Sequence, residues 1–188
     1  MIGAVILAAG AGRRLGGVAK ALLPIDDTTF LGRIVATARA AGVGALVVVV
    51  GPPLRDAVAT LAAALGAGVV DNPDPGRGMA SSIGLGFAAL PAAVDAAVLW
   101  PVDHPWVAAA TVRALIAAGE GVPVHRDRGG HPPLIARRHF AALTDAAAHP
   151  DGARGILRGQ LAGIAVDDPA VLRDVDHPAD LAELPCAS

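Results

Sequence analysis

Leu46 to Val50 reads Leu-Val-Val-Val-Val, with no polar residue in it. A strand that shows one face to water alternates apolar and polar side chains. A strand without polar residues is buried on both faces. A chain holding such a strand needs a layer of structure on each side of its sheet, and the rest of the sequence is patterned to provide one.

Short β-branched runs alternate with alanine-rich stretches of helical spacing. Ala4 to Leu7, Leu46 to Val50, Val69–Val70 and Ala96 to Trp100 read as strands. Between them, helices are expected over Thr28 to Ala41, with Thr28 or Thr29 as cap and Gly42 and Gly44 as terminators, and over Leu54 to Leu65 and Met79 to Leu90. A helix over Ala108 to Ala118 follows. Val122 to His125 and Leu134 to Ala136 read as two strands flanking a Gly-Gly turn, a hairpin-like insert that makes the sheet mixed. Arg137 to Ala147 and Ala153 to Leu161 read as helices, Ile164 to Val166 as a last strand, and Asp180 to Leu184 as a short turn of helix. This alternation predicts an α/β fold with a mostly parallel mixed sheet, and residues 1–188 read as one domain.

Composition narrows the ligands. The net charge of −2 and the 3% aromatic content offer neither a basic field nor a stacking platform, so no nucleic acid is expected as partner. No membrane partner is expected either: the uncharged stretch between Arg39 and Arg55 is too short to span a bilayer and contains Gly-Pro-Pro. The start of the chain is apolar without a preceding basic region, unlike a signal peptide. The single cysteine, Cys186, cannot form an intrachain disulfide, which suits a cytoplasmic location.

In open α/β sheets ligands bind beyond the carboxyl ends of the strands. Glycines 10, 12, 16 and 17 follow the first strand, with Arg13, Arg14 and Lys20 among and after them. Bare backbone amides and local positive charge suit a phosphate. The spacing Gly10-x-Gly12-x-x-x-Gly16 is not the dinucleotide-binding pattern, and Lys20 is not placed as in a Walker loop.

Leu7-Ala8-Ala9-Gly10-Ala11-Gly12-Arg13-Arg14-Leu15-Gly16, followed by Lys20 and Pro24, resembles the signature of the nucleotidyltransferase superfamily, in particular its MobA-like NTP transferase domains. The resemblance continues through Asn72, Gly78-Met79, Ser82-Ile83 and Gly86, through Trp100-Pro-Val-Asp-His-Pro105, Gly129-Gly-His-Pro-Pro-Leu-Ile135 and Asp151-Gly-Ala-Arg-Gly-Ile-Leu157, to Asp174-Val-Asp-His-Pro-Ala-Asp-Leu181. The nearest similarity is to the molybdenum cofactor cytidylyltransferases. The chain departs from the commonest pattern at Trp100, His104 and His177.

The resemblance implies a Rossmann-like three-layer sandwich of the nucleotide-diphospho-sugar transferase type. It implies nucleotide binding by Leu7, Ala8, Ala9, Gly10, Gly12, Arg14, Lys20, Asn72 and Ser82. Arg14, Lys20 and Asp103 would act in catalysis, Asp103 and Asp176 would hold Mg²⁺, and His104 and His131 would face the acceptor. Other roles stay open on the sequence: Ser81 as a helix cap, Asp103 as a turn or cap residue, His104 as a polar turn residue, His131 as a structural histidine. The implied reaction transfers CMP from CTP to the phosphate of the molybdenum cofactor. An association with a molybdenum-dependent dehydrogenase is a further possibility. GTP with the same pterin, another NTP with a sugar or alcohol phosphate, and a non-catalytic nucleotide-binding protein are the alternatives.

Overall fold

A computed structural model describes residues 1–10, 12, 16–176 and 180 of the chain. Its first strand, β1 (Ile2–Leu7), is followed by a small hairpin, β2 (Pro24–Ile25) and β3 (Thr28–Thr29), then α1 (Phe30–Ala40), β4 (Ala45–Val50), α2 (Arg55–Ala64) and β5 (Gly68–Asp71). Next come α3 (Met79–Ala88), β6 (Ala96–Pro101), α4 (Ala109–Ala118), β7 (Val122–His125), β8 (Arg128–Gly129) and β9 (Leu134–Ala136). Helices α5 (Phe140–Thr144) and α6 (Gly152–Leu157) and strand β10 (Gly163–Ala165) complete the order.

The main sheet runs β5-β4-β1-β6-β9, parallel except for β9, which pairs antiparallel with β6. Each central strand feeds two cores. Ala4 and Ile6 of β1, with Val48 of β4 and Val98 and Trp100 of β6, pack against Leu31, Ile34 and Val35 of α1 and Val112 and Leu115 of α4. Val5, Leu7, Val49, Ala97 and Leu99 pack on the other face against Ile83 and Phe87 of α3 and Phe140 and Leu143 of α5. The run without polar residues is thus buried on both faces in a three-layer sandwich.

From β1 the chain first builds outward through β4 to β5, then returns to place β6 on the other side of β1. The order reverses between β1 and β6, and at such a switch point the loops leaving two neighbouring strands diverge and open a crevice at their carboxyl ends.

Several boundaries differ from expectation. Thr28 does not start α1; it belongs to the β2–β3 hairpin, whose turn has Asp26 at φ 48°. Thr29 is the cap, its hydroxyl accepting from the Gly32 N–H at 3.1 Å. The helix expected over 137–147 is broken into a 3₁₀ turn, the short α5 and a second 3₁₀ turn. The Thr144 hydroxyl bonds back to the Phe140 carbonyl at 3.0 Å, an interaction that competes with helix continuation. The helix expected over 153–161 covers 152–157, and Gly159 turns left-handed beyond it.

The strands expected at 122–125 and 134–136 do not pair as one hairpin. Strand β7 pairs antiparallel with β8 and parallel with β10 in a separate small sheet, while β9 joins the main sheet. Local alternation marks both segments as strands but carries no information about their partners. A 3₁₀ turn at Pro169–Leu172 was not anticipated either. Asp168 anchors it: one carboxylate oxygen accepts from Ala170 N–H at 3.0 Å, and the other accepts from Ala108 N–H and the Thr111 hydroxyl at 2.9 and 2.6 Å.

Candidate functional site

The crevice between the ends of β1 and β6 gathers most of the residues singled out from the sequence. Leu7, Ala8, Ala9, Gly10 and Gly12 line one wall, with Lys20 beside them. The loop closes on itself through the Gly17 N–H, which donates to the Gly12 carbonyl at 3.0 Å. Gly12 has φ +58°, and a Cβ there would lie 1.8 Å from the Val18 carbonyl oxygen, so the turn requires glycine. Arg13, Arg14 and Leu15 lie outside the described residues, as do His177, Cys186 and most of the expected 180–184 turn.

The opposite wall is the start of α3, with Gly78, Met79 and Ser82, and the end of β6, with Pro101, Val102 and Asp103. Asn72 does not line this crevice. It is 2% exposed, and its amide nitrogen donates to the hydroxyls of Ser81 and Ser82 at 2.9 and 2.8 Å. Its carbonyl oxygen accepts from the Asp74 N–H at 3.1 Å. Asn72 therefore holds the first turn of α3 in place, and Ser82 reaches the crevice from that support. The Ser81 hydroxyl donates to the Gly78 carbonyl at 2.8 Å.

Asp103 and Asp176, distant in sequence, converge on Lys20. The Lys20 ammonium lies 2.6 Å from Asp176 Oδ1 and 3.2 Å from Asp103 Oδ2. The second Asp103 oxygen, Oδ1, is buried and makes no hydrogen bond to a described group. Two converging carboxylates with a buried, unpartnered oxygen fit a hard divalent cation. Mg²⁺ is commonly held by one or two carboxylates, with phosphate oxygens and waters completing the shell. Among the described residues no group of three or more His, Cys, Asp or Glu forms a metal cluster.

Beyond Asp103 lies a second chamber, lined by Asp103, His104, His131, Asp174, Asp176 and Arg128. The rings of His104 and His131 are 5.0 Å apart and tilted by 47°. Burial lowers the pKa of His104, with the neighbouring Asp103 carboxylate opposing the shift. Burial and then the proximity of His104 lower that of His131. Both rings favour the neutral form in which imidazole offers one donor and one acceptor. Trp100, a departure from the commonest family pattern, sits fully buried beneath this turn, its indole N–H donating to the His104 carbonyl at 3.0 Å. Pro101 rather than Trp100 meets the crevice.

A third chamber continues from the second under Gly129–His131 and is bounded mostly by aliphatic side chains, among them Leu7, Ile83, Leu99, Leu157 and Leu161, with Arg154 and Arg158 also in its wall. Arg128, Arg154, Arg158 and Asp174 were not singled out as site residues from the sequence. Their side-chain types are ordinary for solvated surfaces, and only the packing of β8, of α6 with the turn after it, and of the segment following the 169–172 turn distinguishes them. No helix among the described residues is long and apolar enough to cross a membrane.

Comparison with solved structures finds the same architecture. Rv0371c from Mycobacterium tuberculosis aligns at 32% identity and a TM-score of 0.82, over 98% of this chain and 97% of that one. A structure of Rv0371c in complex with manganese aligns at 31% identity and a TM-score of 0.78, with 97% of each chain covered. A nucleotidyl transferase from Methanothermobacter aligns at 26% identity and a TM-score of 0.78, over 97% of this chain and 94% of that one. No functionally curated protein matches the sequence. The family described as the MobA-like NTP transferase domain matches residues 4–165. With a nucleotide-type glycine loop at the switch point of its sheet and that match across most of its length, the chain belongs to the family of MobA-like NTP transferase domains.

Proposed function

We propose that this protein transfers CMP from CTP to the phosphate of the molybdenum cofactor and releases pyrophosphate. The observation that carries the transfer chemistry is the convergence of Lys20, Asp103 and Asp176 at the mouth of the glycine loop. The choice of CTP and of the pterin rests on the sequence resemblance. An acceptor phosphate oxygen attacks the α-phosphorus, and the bond from that phosphorus to the bridging oxygen of the β-phosphate breaks. The acceptor phosphate is already anionic, so positioning and charge stabilisation are the main tasks of the protein.

Asp103 and Asp176 would hold Mg²⁺ or Mn²⁺, which when bound neutralises phosphate charge and aligns the two substrates. Gly10 and Gly12 leave bare backbone at the wall for the triphosphate, with Leu7, Ala8 and Ala9 lining the same crevice. Arg14 and Lys20 stabilise charge as pyrophosphate departs. Ser82, braced by Asn72, contacts the nucleotide from α3. On the other side, neutral His104 and His131 hydrogen-bond the acceptor without adding charge. The aliphatic chamber has a volume of about 650 Å³, within the range of small-molecule sites. Its aliphatic walls suit the faces of a flat ring system, with Arg154 and Arg158 beside them for the polar edges. The product would pass to a molybdenum-dependent dehydrogenase in the cytoplasm.

Pyrophosphate release with CTP, GTP, ATP and UTP, each with Mg²⁺ and with or without molybdopterin, tests this reading. Release with CTP and the pterin alone is expected. Release with a different NTP would keep the chemistry and move the base specificity, and tight CTP binding without release would favour a non-catalytic nucleotide-binding protein.

A further inference from the structure

We propose that Arg128 is the residue that binds the phosphate of the acceptor; the assignment rests on the nucleotidyl-transfer reading above. The turn between β7 and β8 has Arg126 and Asp127 at φ 48° and 61°, the conformation of a tight two-residue hairpin. Register is set by His125 opposite Arg128 and Val124 opposite Gly129. The ribbon is then pinned to its surroundings. Gly130 N–H donates to the Pro123 carbonyl and His131 N–H to the Val171 carbonyl, each at 2.8 Å. A Cβ on Gly130 would lie 2.3 Å from the Val171 oxygen, so the ribbon rests directly on the 169–172 turn. The backbone of Arg128 is thereby fixed, and its exposed side chain is among those that line the chamber with Asp103, Asp174 and Asp176.

The charges of that chamber explain why such a residue is needed. Three carboxylates line it, two of them the proposed cation ligands Asp103 and Asp176. Lys20 lies on the nucleotide side and is engaged by Asp103 and Asp176. Arg128 is the one Arg or Lys among the described residues that lines this chamber, and no described carboxylate pairs with its guanidinium. The cation proposed on Asp103 and Asp176 offsets those two carboxylates, but the Asp174 carboxylate also lines the chamber, and an entering phosphomonoester meets its repulsion unless a further cation lies near. A guanidinium fork grips two phosphate oxygens and fixes their orientation, which a point charge does less well. Arg128 thus selects phosphorylated acceptors and turns their reactive oxygen toward the crevice.

Phenyl phosphate serves as the probe, titrated in the presence of Mg²⁺ and followed by ³¹P line width, with wild type, Arg128→Ala, Arg128→Gln and Arg128→Lys. Affinity is expected to fall at least tenfold in the Ala and Gln variants and to recover in part with Lys. The KM for the pterin should rise by a similar factor, while the CTP dissociation constant stays within twofold and confirms that the nucleotide side is intact. Failure of wild type to bind phenyl phosphate, or unchanged phenyl phosphate affinity in Arg128→Ala, overturns the assignment. If phenyl phosphate binding depends on Arg128 but no NTP yields pyrophosphate with the pterin, the acceptor identity fails and the phosphate site stands.

Discussion

The backbone N–H of Val175 donates to the carbonyl of Asp103 at 3.1 Å. This bond ties the segment carrying Asp176 to the end of β6, so the two carboxylates are joined through backbone as well as through Lys20. Val175 is fully buried in a small cluster with Leu23, Ile25 and Phe30, against which Trp106 packs. The Arg173 guanidinium covers Trp106 at 4.4 Å, and Trp106 meets Phe30 edge-on at 5.8 Å.

Truncating this anchor should loosen Asp176. Val175→Ala is expected to destabilise the fold by about 2 kcal/mol from lost burial and the resulting cavity. It should also weaken Mn²⁺ binding severalfold. Urea unfolding and Mn²⁺ titration by electron paramagnetic resonance measure the two effects. Lost stability with unaltered Mn²⁺ affinity would show that the cluster does not position Asp176.

Lys20→Ala should separate charge neutralisation from metal binding. Turnover is expected to fall roughly 10²- to 10³-fold, the scale for removing one stabilising donor from a transition state. Mn²⁺ binding to the nucleotide-free protein should hold or tighten, because the ammonium that contacts both carboxylates no longer competes. Weaker Mn²⁺ binding would mean that Lys20 organises the two carboxylates.

Helix α3 is pressed onto the sheet at Gly86, where a Cβ would lie 2.2 Å from a methyl of Val5. Gly86→Ala is expected to cost about 1–3 kcal/mol through overpacking. Because the same helix presents Ser82, CTP affinity should fall with it. A melting temperature equal to wild type would show that the helix can lift without penalty.

Stability of the metal-free protein should decline on acidification. His104 and His131 both have pKa values below the ordinary 6.5 in the folded state. Below about pH 6.5 the unfolded chain therefore binds more protons than the folded one. Their contribution is complete above that pH and is lost as pH falls beneath it. Melting temperatures from pH 8 to pH 5 should drop in that window, and His131→Gln should flatten the drop. A profile identical in wild type and variant would remove His131 as a source.

The strands, the helices and the glycine loop were legible from the sequence because each reflects a local rule. The run Leu46 to Val50 announced burial on two faces, the Thr28–Thr29 pair announced a cap, and the glycines after the first strand announced a loop open to a phosphate. Periodicity records which faces of a segment are buried, but not against what. Pairing β9 with β6 while sending β7 to β8 and β10 depended on contacts between distant segments. So did the enclosure of the Asn72 amide between Ser81 and Ser82, and the gathering of Arg128 and three aspartates around one chamber. The sequence determined the elements and the chemical kinds of the site residues; the tertiary structure decided which of those groups meet, because hydrogen bonds and ion pairs act over a few ångströms that only the folded chain brings together.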